Sequence, residues 1–86
     1  MEIKLNVPTY NPQNGIEYNW EKNFVIETKY ENGAVTIFAN KEGLISLANH
    51  LLNLAQETIP PNYHLHFDDL NSLEDGSIEL IIQKIK

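Results

Sequence analysis

The chain has 86 residues, 42% of them apolar and 21% charged, and its net charge of −6 comes from twelve acids against six lysines, with no arginine and no cysteine. That length allows a single domain over residues 1–86 with one modest core, and the apolar share separates the chain from disordered sequences. Without cysteine there are no disulfide scaffolds, thiolate zinc sites or cysteine nucleophiles, and without arginine a phosphate-gripping surface is poorly supplied, so nucleic acid is not an expected partner.

The charge is uneven. Residues 1–41 hold five acids and four lysines, whereas residues 42–86 hold seven acids and only Lys84 and Lys86. An acidic balance serves solubility and also suits a basic partner. Taking the chain in order, Glu2 to Val7 places Ile3, Leu5 and Val7 on one side, the period of a half-buried strand stopped by Pro8. With no continuous apolar run there, neither a signal peptide nor a membrane span is expected, and the location expected is cytoplasmic. Thr9 to Gly15 concentrates turn formers. Ile16, Tyr18 and Trp20 then alternate with Glu17, Asn19 and Glu21, the pattern of a short edge strand.

Phe24–Tyr30 and Ala34–Ala39 are alternating runs around Asn32-Gly33, the strongest short signal for a β-hairpin. A two-residue turn sets Tyr30 opposite Val35, Thr28 opposite Ile37 and Ile26 opposite Ala39 on a face expected to turn inward. The other face pairs Lys29 with Thr36 and Glu27 with Phe38. Phe38 is expected to pack under the N-terminal segment or the Trp20 strand, or else to mark a contact surface.

Asn40 is a favoured N-cap, Glu42 suits the start of a helix, and Leu44, Leu47, Ala48, Leu51, Leu54 and Ala55 recur at helical spacing as a core-facing stripe. The helix is expected from Lys41 to Glu57, ending before Pro60-Pro61 and long enough, at roughly 24 Å, to lie across a sheet. Tyr63, Leu65 and Phe67 alternate with His64, His66 and Asp68. After the segment Asp69 to Gly76, Ile78, Leu80 and Ile82 alternate with Glu79, Ile81 and Gln83, giving a second hairpin. The architecture these runs imply is α+β: a single antiparallel sheet of about five strands with one long helix packed on one face, in the order β-β-β-α-β-β.

The chemistry-bearing residues each have a plainer reading. His64, His66 and Asp68 point to one face of a strand and together suit a divalent metal, or are simply solvated surface groups. Ser46 and His50 are helical neighbours that imitate a nucleophile and its base, but the polar side of a helix commonly carries such a pair. The carboxylates of residues 68–79 lack the alternation of a calcium loop, and a chain this short leaves little room for a sugar cleft. No cofactor or metal is expected, and no catalytic residue is assigned.

Asp68 to Gly76 can be a loop that caps itself, since Asp, Asn and Ser side chains bond nearby backbone N–H groups. Alternatively, Leu70 and Leu73 among the acids form an apolar contact with a charged rim, a common design for binding another protein.

The runs Glu42-Gly43-Leu44-Ile45-Ser46-Leu47-Ala48, Tyr63-His64-Leu65-His66-Phe67-Asp68-Asp69 and Asn71-Ser72-Leu73-Glu74-Asp75-Gly76-Ser77 resemble the immunity proteins of bacterial polymorphic toxin systems, specifically the immunity protein 32 family. The resemblance covers about the C-terminal half. It implies a non-catalytic cytoplasmic protein that binds and neutralises a cognate toxin domain. Charge and expected exposure then suggest a partner-binding surface of His64, His66, Asp68, Asp69, Leu70, Asn71, Leu73, Glu74, Asp75 and Glu79 facing a basic toxin. The competing classes are a metal-binding or catalytic domain built on His64, His66 and Asp68, and a structural module that assembles by its sheet edges. The oligomeric state is left open.

Overall fold

The structure is a computed structural model that describes all 86 residues, Met1 to Lys86. Its elements are β1 (Ile26–Glu31), β2 (Ala34–Ala39), α1 (Lys41–Leu54), β3 (His64–Phe67) and β4 (Leu80–Gln83). The α+β class holds. The single five-stranded sheet does not: β1 pairs only with β2, and β3 only with β4, in two separate antiparallel sheets.

The first hairpin has the register expected from its turn, with Ile26 against Ala39, Thr28 against Ile37 and Tyr30 against Val35. Asn32 and Gly33 both sit at positive φ, 52° and 80°, the conformation that matches the twist of two-residue hairpins. Burial along its inner face stops early. Ile26 and Thr28 are fully buried, yet Tyr30, Val35 and Ile37 stay exposed, because no element covers the distal end of the hairpin. Phe38 is half exposed, with Lys29 Nζ 5.7 Å above its ring rather than the N-terminal segment or Trp20.

Asn40 joins hairpin to helix. Its side-chain oxygen accepts from Gly43 N at 2.8 Å, capping α1, and from Val25 N at 2.9 Å, while its amide donates to Asn23 O at 2.9 Å. Gly43 lies where the helix meets the hairpin, and a β-carbon there would collide with the Val25 carbonyl and crowd Ile26 and Ala39. The helix therefore touches the first sheet only at its start and does not lie across it.

The helix also turns an unexpected face inward. Gly43, Ser46, Asn49, His50, Asn53 and Leu54 are buried, and of the expected stripe Leu47 is half-buried while Leu44, Ala48, Leu51 and Ala55 are exposed. The cause is the N-terminal segment. Neither the Glu2–Val7 strand nor the Ile16–Glu21 strand forms; the one bridge in that region joins Asn11 and Gly15. Backbone groups of residues 6–21 are met instead by side chains of α1 and of Gln56 just beyond its end. Glu21 N donates to Ser46 Oγ, Asn49 donates to Asn6 O, Asn53 to Glu17 O and Gln56 to Pro8 O, while Tyr10 N donates to Gln56 Oε1. Buried backbone groups require partners, and a strap without a ladder takes them from a polar helix face.

The core is Ile26, Leu54, Ile59, Leu65, Phe67 and Leu73, drawn from both sheets, the helix, the segment that follows it and the 68–79 loop. That loop also links the sheets. Glu74 N donates to Ile26 O, Ile78 N to Thr28 O, and Thr28 N to Ser77 Oγ at 3.2 Å. Between these contacts β1 advances two residues and the loop four, so the two cannot continue as a ladder. This mismatch is why one sheet becomes two.

Candidate functional site

β3 alternates as its sequence suggests, Leu65 and Phe67 buried and His64 and His66 exposed on the opposite face. Phe67 delivers the chain into a tight turn organised by Asp68. Its Oδ1 accepts from Leu70 N at 2.9 Å and Asn71 N at 3.0 Å, and its backbone oxygen accepts from Ser72 N and Leu73 N. Asn71 closes the turn from the other side, accepting from Asp68 N and donating to His66 O. Asp68 and Asn71 thus hold the loop's shape, as side chains of their type do in such turns.

Beyond the turn Leu73 is only 6% exposed and belongs to the core, so the expectation of Leu73 as a surface anchor is corrected. Leu70 is the reverse, at 93% exposed. On the same segment Asp69, Glu74, Asp75 and Glu79 are exposed and Asp68 is partly so. Only two of these carboxylates meet a potential cation: His66 Nε2 lies 3.7 Å from Asp68 and 3.2 Å from Glu79. Asp69, Glu74 and Asp75 have no ion-pair partner. The loop is self-capped, as the first reading of its sequence expects, and it also carries unpaired charge.

His64 does not join His66 and Asp68. It lines a shallow hollow with Asn62 and Tyr63, and no three His, Asp or Glu side chains are grouped to hold a metal ion. Ser46 and His50 are also displaced from expectation. Both are fully buried, not on a wet face, and Ser46 Oγ donates to Glu42 O at 2.8 Å, so they are no nucleophile and base.

Sequence reasoning missed what lies beside the loop. Tyr18, Trp20, His66, Phe67, Asn71 and Ser72 line a hollow of about 160 Å³. Its aromatic floor continues inward to His50, whose ring centroid is 4.3 Å from Trp20, 5.0 Å from Tyr18 and 5.9 Å from Phe67. Neither nitrogen of that imidazole has a hydrogen-bond partner, and burial lowers its pKa to about 4. Burial, and then the nearby Tyr63 phenol, raise the pKa of Tyr18. The usable signal is Tyr18 and Trp20 themselves, two aromatics in a short polar stretch whose alternation reads as a strand.

The arrangement offers no nucleophile and base, no grouped metal ligands and no enclosed substrate cavity. It does offer a rigid acidic loop with an exposed leucine beside an aromatic hollow, a combination suited to contact with another protein. A family model described as immunity protein 32 matches residues 34–85, more than half of the chain. No curated protein and no solved structure matches it.

Proposed function

We propose, from the premise that this chain belongs to the immunity protein 32 family, that it binds a basic bacterial toxin domain and neutralises it without catalysis, through the surface formed by the 68–79 loop. The observation that carries this reading is Leu70, almost wholly exposed on a loop whose shape is fixed by Asp68 and Asn71. A single exposed leucine is ordinary on a protein surface, but this one sits on a hydrogen-bonded loop beside unpaired carboxylates, and a pre-shaped loop loses little conformational freedom on binding. Asp69, Glu74, Asp75 and Glu79, exposed on the same segment, supply the steering charge.

Asp68 and Asn71 act by positioning the loop, and Leu73 by anchoring it. His66 and His64 flank the contact on the exposed face of β3. The family supplies the class of partner, and the net charge of −6 supplies the expectation that the partner is basic. Action in the cytoplasm, where a toxin would meet its targets in the producing cell, completes the reading.

Charge reversal tests it. The Asp69→Lys, Glu74→Lys, Asp75→Lys triple variant alters only exposed side chains, and is expected to keep its circular dichroism spectrum and lose at least about 100-fold in affinity for a cognate toxin domain. Leu70→Ala alone is expected to lose about tenfold, the effect of truncating one interface anchor. Unchanged affinity in both variants would remove the loop from the interface.

A further inference from the structure

β2 is the only strand with every residue but one exposed, and it has β1 on one edge and nothing on the other. In a two-residue hairpin the residues flanking the turn, here Glu31 and Ala34, form a hydrogen-bonded pair, and such pairs then alternate along the ladder. The backbone groups of Val35, Ile37 and Ala39 therefore point away from β1. Around that open edge Val35, Phe38 and Ile37 are 57%, 50% and 42% exposed.

Free edges are normally blunted by a charge, a proline, a bulge or a covering segment. The outer edge of β1 follows that rule, being covered by the loop through Glu74 and Ile78. β2 does not. Its sequence Ala34-Val35-Thr36-Ile37-Phe38-Ala39 has no charge and no proline, and its pairing with β1 runs without a bulge.

We propose that β2 pairs antiparallel with β2 of a second copy of this chain, giving a symmetric dimer with a continuous sheet β1-β2-β2-β1. The strand is complementary to itself. A two-fold axis through Thr36 sets Val35 against the partner's Ile37 on one face, and Ala34 against the partner's Phe38 on the other. The first is a β-branched pair, and the second puts the smallest side chain beside the largest. Charge favours this edge over the rest of the surface. Two acidic copies repel, but here the nearest charged side chains, Glu27, Lys29 and Glu31, lie one strand back. At a strand spacing of ~4.8 Å, the β1 strands of two copies are about 14 Å apart, beyond the screening length of ~8 Å at physiological salt. Lys29 is in addition paired with Glu27 at 3.2 Å. The exposed leucines of α1 offer a second apolar surface, but one with no backbone groups to pair and no register to set.

Solution mass by sedimentation equilibrium of the full chain, up to a few hundred micromolar, tests the proposal. The wild type is expected to reach twice the chain mass, the Val35→Lys, Ile37→Lys variant to remain at the chain mass with an unchanged circular dichroism spectrum, and Leu51→Lys on the helix to dimerise like the wild type. Hydrogen exchange on the wild type gives a reading independent of any variant: the Val35 and Ile37 amides are expected to gain protection as concentration rises. A wild type that stays monomeric throughout overturns the proposal, including the case where this edge accepts an extended segment of another protein. So does a dimer that survives the double lysine variant, one dispersed by Leu51→Lys, or exchange at Val35 and Ile37 that is indifferent to concentration.

Discussion

His50 is an imidazole with neither nitrogen bonded, enclosed by Tyr18, Trp20 and Phe67, and no charged side chain belongs to that enclosure. Desolvation lowers its pKa from 6.5 to about 4. Between those two values the unfolded chain binds a proton that the folded chain does not, so stability is complete above the unfolded pKa and falls as pH drops through the window. The loss sums to roughly 3 kcal/mol for a shift of that size. Urea titrations at pH 7 and pH 4 are expected to show this loss in the wild type and to show it reduced in His50→Leu, which has no imidazole to protonate. An equal loss in both proteins would assign the acid sensitivity to other groups. The sequence hid this residue. The leucine stripe predicts that Ser46 and His50 lie on the wet face, and only the partner segment determines which face of a helix is covered.

At the scale of elements, the local devices were legible and the long-range ones were not. Asn32-Gly33 dictated both the turn and all six pairs of the first hairpin, since a two-residue turn leaves one register. Asn40 announced the helix start and caps it. The alternation in Tyr63–Phe67 gave the inward and outward faces of β3 correctly. Residues 1–21 have strand periodicity, but periodicity does not say what will satisfy the backbone, and the split into two sheets has its separate cause in the mismatch between β1 and the loop. Here the side-chain amides of α1 and of Gln56 just beyond it meet that backbone, which turns Asn49, Asn53 and Gln56 into structural residues.

This reversal of faces predicts an inverted mutational pattern on α1. Asn53→Ala removes the donor that meets Glu17 O at 2.7 Å and the acceptor of the Gln56 amide, and is expected to cost about 1–3 kcal/mol in a urea titration. Leu51→Ala, on a half-exposed side chain, is expected to stay within about 0.5 kcal/mol of wild type. A larger effect at Leu51 than at Asn53 would restore the leucine stripe as the packed face.

For the whole molecule, the 68–79 loop is the part that both holds the fold and presents the surface. Leu73 fills the core, Glu74, Ser77 and Ile78 fasten the loop to β1, and Leu70 and the unpaired carboxylates remain outside. The acidic character of this segment was plain in the sequence. The division of labour within it was not, because Leu70 and Leu73 are equivalent as residue types and only the Asp68 turn separates their fates. No helix is long and apolar enough to cross a membrane. Membership of the immunity protein 32 family suggests a toxin as the class of partner.

The salt dependence of binding tests the central claim most directly. The purified chain is titrated with its candidate cognate toxin domain, at low salt and again well above physiological ionic strength. The predicted result is a stoichiometric complex in which the toxin is inactive, with a Kd that rises about tenfold or more as salt screens the acidic loop from a basic partner. The absence of a complex, or a Kd indifferent to salt, would contradict it.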